Sequence, residues 1–109
     1  MCDDKNVRGL ITGKAVDNSV YINGVKLCVK DSKKVVNHSP VGFAWGYGGS
    51  GPAQLALAIL LKFTNKDVAL KLYQKFKWHV ISYLPIGKDF SFPIERVISF
   101  IEGNSRGMV

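Results

Sequence analysis

A chain of 109 residues has room for one modest hydrophobic core, which excludes a cofactor domain standing beside a separate substrate domain. Fifteen Lys and Arg against eight Asp and Glu leave a net charge of +7, so anionic partners are favoured. The basic residues are spread along the chain, which argues against a nucleic-acid arm, and two cysteines, Cys2 and Cys28, are too few for a disulfide framework or a cysteine zinc site.

The opening MCDDKNVRG lacks the apolar stretch of a signal peptide. The longest apolar run, Leu55 to Leu61, is far short of the roughly 20 residues of a membrane span, so a cytoplasmic protein without membrane association is expected. A single domain over residues 1–109 is expected, with flexible ends at 1–6 and 104–109. Val7 to Ile11 and Lys14 to Ile22 read as strands. Asn23-Gly24 is a strong type I′ turn signal that joins the second of them to Val25 through Val29 as a β-meander, and Lys33 to Asn37 adds a further strand.

The stretch NHSPVGFAWGYGGSGPAQLALAILL, Asn37 to Leu61, is the densest signal in the chain. Gly48, Gly49 and Gly51 permit positive φ and close backbone approach, Pro52 suits the first helical position, and Ser50 or Gly51 is placed to cap the helix. Free amides at such a helix start attract an anion, which puts a phosphate or carboxylate between Gly49 and Gln54. The spacing fits neither the dinucleotide fingerprint nor the Walker loop. Phe43, Trp45 and Tyr47 alternate just upstream, as expected either of a strand burying one face or of rings that stack on a base. The bland reading of the whole loop is a turn that passes close to the core.

Pro52 to Phe63 is apolar nearly all round, with Gln54 its main polar exception, and reads as a central helix. Thr64 as N-cap with Asp67 three residues on opens a second helix to about Lys77. Trp78 to Leu84 is rich in β-formers and reads as a strand ending at Pro85. Pro93 to Glu102 forms a last amphipathic helix with Ile94, Val97, Ile98 and Ile101 as its stripe and Gly103 as its stop. The expected fold is α+β, an N-terminal antiparallel meander packed on two to three helices.

Asn37 to Leu61, followed by YQKFKWHVISYLP and a short terminal helix, resembles an uncharacterised family of small bacterial and phage proteins, a domain of unknown function with a signature close to NHSPxGFxWGYGGSGPAQLALAILL. The position of Ala44 is often acidic in that signature, so this chain departs from it. The order of glycine-bearing turn, apolar helix, strand, Leu-Pro turn and final helix is also similar in architecture to viral ring nucleases and other small phage proteins that disarm cyclic-nucleotide immune signals. That likeness implies a cyclic-nucleotide or ADP-ribose-like ligand.

For chemistry, His38 is a candidate general acid or base, and Ser39 or Ser50 a nucleophile within its reach. No Asp or Glu stands nearby to orient His38, and its competing role is to pin the turn. Lys75, Lys77, Lys88, Arg96 and Arg8 are candidates to neutralise phosphate. The scattered carboxylates Asp17, Asp31, Asp67 and Glu95 indicate neither a hydrolytic pair nor a metal cluster, and no cofactor is called for. The expected ligand site is therefore His38, Ser39, Trp45, Tyr47, Gly48, Gly49, Ser50, Gly51 and Gln54. Its function is expected to be binding and sequestration of a phosphorylated, base-containing small molecule rather than catalysis. The alternatives are a small phosphodiesterase using His38 and Ser39, and a structural or protein-interaction module with no small ligand. Surplus aromatics, Trp45, Tyr47, Tyr83 and Phe90, point to a homo-oligomer with a dimer as default.

Overall fold

The computed structural model describes residues 9–37 and 42–105. Three short strands open the chain, β1 (Leu10–Lys14), β2 (Ser19–Ile22) and β3 (Val25–Lys26), and a fourth, β4 (Phe90–Pro93), returns late to pair with β1. The sheet order is β3-β2-β1-β4 and every pairing is antiparallel. The helices are α1 (Val29–Lys33), α2 (Ser50–Phe63), α3 (Lys66–His79) and α4 (Ile94–Ser105), with a 3-10 turn at Ile81–Tyr83. The α+β class and the N-terminal meander are as expected, with one more helix than the two to three anticipated.

Local chemistry explains the sheet. Asn23 and Gly24 both have positive φ, 52° and 80°, as a type I′ turn requires, and Ile22 pairs with Val25 across it. The expected strand from Lys14 to Ile22 is instead divided by a turn. Asn18 takes a left-handed φ of 58°, and the Asp17 carboxylate accepts hydrogen bonds from the Ser19 amide at 3.0 Å and its hydroxyl at 2.6 Å. Those two bonds hold the Asp17 carboxyl below the usual carboxylate range, helped by the charge of Lys26.

Three strand expectations give way to helix. Val25 to Val29 remains a strand for two residues before α1 begins, and Lys33 to Asn37 is the end of α1 and a turn in which the Ser32 carbonyl accepts from the amides of Val35 and Val36. Trp78 to Leu84 is the end of α3 and the 3-10 turn. The buried residues Ala69, Leu72, Tyr73, Phe76 and Val80 keep helical spacing through that point, and the Val80 amide still donates to the Phe76 carbonyl. Tertiary burial at helical period outweighs β-propensity here.

Strand β4 lies where only the approach to the last helix was expected. Phe90 and Phe92 are buried and alternate with exposed Ser91 and Pro93, and Pro93 costs no ladder bond because β4 is an edge strand. Gly13 on β1 lies directly beneath the Phe90 ring, leaving no room for a Cβ.

Helix α2 is the centre of the core. All ten residues from Gly51 to Leu60 are buried, and α1, α3, α4 and the 3-10 turn pack around it. Its N-cap is Gly49, so Ser50 and Gly51 are the first two helical residues and Pro52 the third, where its missing N–H still costs nothing. Thr64 closes α2 through its amide to the Leu60 carbonyl. Asn65, not Thr64, caps α3, its side chain accepting from the Val68 amide at 2.9 Å. Helix α4 buries Ile94 and Val97 as expected but runs past Gly103, which does not stop it. Asn104 and Ser105 are helical rather than part of the expected tail, and the Asn104 amide bonds back to the Phe100 carbonyl.

Candidate functional site

Residues 42–49 run from the α1 side of the core to the start of α2 and are tied down at both ends. The carbonyl of Phe43 accepts from the Asn18 side chain at 3.0 Å, which joins the loop to the β1–β2 turn. Gly42 holds a φ of 123°, open to glycine alone without strain. The Trp45 indole donates to the carbonyls of Pro85 and Lys88 at 3.1 and 3.0 Å and packs edge-on against Phe90, with centroids 4.7 Å apart. Trp45 and Phe43 are thus core residues, while Tyr47 keeps 45% of its surface exposed.

The glycines meet the protein's own chain. Gly46 has a φ of 90°, donates to the Ile81 carbonyl at 3.0 Å, and a Cβ on it would lie 2.7 Å from the Ile86 Cα. Gly48 sits against the Trp78 ring, again with no space for a Cβ. Gly49 faces the Tyr47 ring and Gly51 faces Ala44, with a Cβ at either position falling 2.6 or 2.7 Å from the nearest atom. Close approach within the fold therefore accounts for much of the glycine density. It also explains Ala44, since a larger side chain would press on the first turn of α2.

Gln54 is fully buried, and its amide donates to the Ser32 hydroxyl at 2.9 Å and the Val36 carbonyl at 3.0 Å. It ties α2 to α1 and the turn after it, a core bond that sequence reading placed on the surface of a site. His38 and Ser39, the candidate catalytic pair, lie outside the described residues, as does Arg8.

What remains open is a groove of about 330 Å³ lined by Asn18, Gly42, Phe43, Ala44, Tyr47, Ser50 and Gly51. Ser50 is exposed at the start of α2, and the N-cap, Gly49, has no side chain to offer the first amides of the helix. A second groove of about 550 Å³ shares Asn18, Gly42 and Phe43 and adds Asp17, Ser19 and Lys26. The structure thus brings Tyr47, Ser50 and Gly51 to one cavity, removes Trp45 and Gln54 from it, and adds Asn18, whose part no local pattern announced.

The other candidate cations are dispersed. Lys77 lies buried along α3 with its ammonium 4.4 Å from the Trp78 ring centroid, Arg96 stands 5.7 Å from the Phe92 ring, and Lys75 and Lys88 are exposed. His79 is exposed at the end of α3 rather than enclosed in a strand. Of the aromatics expected at an oligomer interface, Trp45 and Phe90 are buried, and Tyr47 and Tyr83 are exposed at 45% and 80%. Among the described residues no three His, Cys, Asp or Glu side chains gather as a metal site would need, and no helix is long and apolar enough to cross a membrane.

No characterised protein matches the chain, and no solved structure matches it. A family model described as a family of unknown function, DUF6166, matches residues 8–103, and the chain belongs to that family.

Proposed function

We propose that this domain is a non-enzymatic binding protein for a phosphorylated, base-containing small molecule. Its anionic group would sit at the start of α2 and its base against Tyr47. One observation carries the reading: a groove of about 330 Å³ has both the glycine-capped helix start, Ser50 and Gly51, and a half-exposed tyrosine ring on its walls. Helix-start amides and the macrodipole favour an anion, and an aromatic face takes a base without regard to its identity. Following the likeness to small phage proteins, the biological ligand is a cyclic-nucleotide or ADP-ribose-like defence signal, which the protein sequesters. The groove is at the small end of the range for such sites, about 300 to 1,000 Å³, so a second subunit would supply the missing wall.

A thermal-shift panel of linear and cyclic nucleotides tests this, since a ligand at 100 times its Kd adds about 2.7 kcal/mol of stability. Stabilisation that Tyr47→Ala abolishes supports the site, and a transition that no nucleotide moves refutes it. Ligand released intact by heat denaturation supports sequestration. Product formation lost in His38→Ala would instead establish the phosphodiesterase.

One set of contacts favours a second reading. Gly46, Gly48, Gly49 and Gly51 are each crowded by the protein's own atoms, which is what an interaction module with a rigid supporting loop requires.

A further inference from the structure

The end of α3 and the turn that follows carry a surface the ligand groove does not use. Trp78, Tyr83 and Ile86 are 55%, 80% and 64% exposed, although tryptophan and isoleucine are the kinds of side chain that folding normally hides. Trp78 and Ile86 are held near one another, and Tyr83 lies on the turn between them in the chain. Gly46 packs on Ile86 and Gly48 on Trp78, and two residues of chain reach at most about 7 Å, so the loop holds both side chains close together. The Ser82 hydroxyl donates to the Trp78 carbonyl at 2.7 Å, and the Tyr83 amide to the Val80 carbonyl at 3.2 Å, which fixes the turn bearing Tyr83.

Charge in the segment that carries this surface is nearly all of one sign. Between residues 32 and 88 the chain carries eight lysines and a single carboxylate, Asp67. Asp67 sits in the first turn of α3, three helical turns from Trp78. Nearer to Trp78 stand Lys71 and Lys75, exposed on its own side of the helix by i−7 and i−3 spacing, with Lys77 against its ring. Lys88 follows Ile86, and the next residue, Asp89, has its carboxylate turned to the Ala15 amide at 2.7 Å and to Lys14 at 3.8 Å.

We propose that Trp78, Tyr83 and Ile86, rimmed by Lys71, Lys75 and Lys88, form a docking surface for an acidic protein segment whose own apolar side chains cover the aromatic centre. Apolar and aromatic anchors inside a charged rim are the anatomy of a protein interface. The lysine rim selects a carboxylate-rich partner and excludes a second copy of the same face, which a two-fold axis would set lysine against lysine. Single-stranded nucleic acid fits less well, because the Lys77 ammonium already covers one face of the Trp78 ring on which a base would stack. None of these residues lines the groove at the start of α2, and the test of the surface does not depend on a nucleotide.

The experiment begins with phage-displayed 12-residue peptides selected against the full chain. Trp45 is buried and Trp78 exposed, so acrylamide quenching of tryptophan fluorescence reads the surface directly. The selection is expected to yield peptides combining Asp or Glu with aromatic or aliphatic residues. These peptides should shield Trp78 from acrylamide and bind about tenfold or more weakly to both Tyr83→Ser and Lys75→Glu. Both substitutions are at exposed positions, and circular dichroism verifies that each variant is folded. Asn and Gln replacing the acids of a selected peptide should abolish shielding. The proposal is overturned by a selection without an acidic and apolar consensus, by peptides that bind both variants as they bind the parent, by shielding from oligothymidylate, or by shielding that rises with protein concentration alone.

Discussion

Replacing Ser50 by Asp separates helix stability from anion binding, because the two should move in opposite directions. Ser50 is the first residue of α2, exposed, with an N-cap glycine that has no side chain to offer and no acidic residue in the first turn. A carboxylate placed there meets the positive end of the macrodipole and the open amides, which is worth about 0.3–1 kcal/mol at an exposed position. For a domain of this size that raises Tm by about 1–6 °C. A bound phosphate would then face a like charge. At a separation of about 5 Å the repulsion is about 1 kcal/mol in water and about 3 kcal/mol at the effective dielectric of a protein surface, or about fivefold to 200-fold in Kd. Differential scanning calorimetry of the ligand-free protein and calorimetric titration with whichever nucleotide stabilises the parent give both numbers. A variant with raised Tm and undiminished nucleotide affinity would place the anion elsewhere and refute the site. A lowered Tm would refute the account of a glycine-capped helix start.

Gln54→Leu should cost about 1–3 kcal/mol, because it leaves the Val36 carbonyl without the amide that now bonds it, while nucleotide affinity stays unchanged. Chemical denaturation together with the titration checks both halves. Acid should weaken the turn between β1 and β2. The Asp17 carboxyl is held below its ordinary value by Ser19, so its stabilisation is full above the unfolded-state pKa and is lost as pH falls through the lower folded value. The Tm difference between parent and Asp17→Ala should therefore shrink from pH 5 to pH 2, and a constant gap would contradict it. Light scattering at micromolar protein should show a dimer in the presence of ligand if a second subunit closes the groove, whereas one chain mass with and without ligand would leave an open groove on a monomer.

What could be read from the sequence was local or periodic. Asn23-Gly24 encodes its own turn through two positive φ values, Pro52 to Phe63 is too apolar to lie anywhere but the centre, and Ile94, Val97, Ile98 and Ile101 repeat at helical spacing. The misreadings occur where a short apolar segment suits either element. Trp78 to Leu84 has strand composition, yet the stripe that buries Phe76 and Val80 carries the helix into it, and Phe90 and Phe92 become a strand because β1 offers partners 77 and 81 residues earlier in the chain. The candidate site divides in the same way. Density of glycine and aromatic residues singled out the loop, but the identity of each neighbour depended on the fold. Trp78 fills the space beside Gly48, Ile86 that beside Gly46, Pro85 and Lys88 take the Trp45 indole, and Ser32 and Val36 take the Gln54 amide. These partners lie between 18 and 43 residues away in the chain, a range over which no spacing rule acts, so tertiary packing alone decided which of the marked residues face a cavity and which hold the core together.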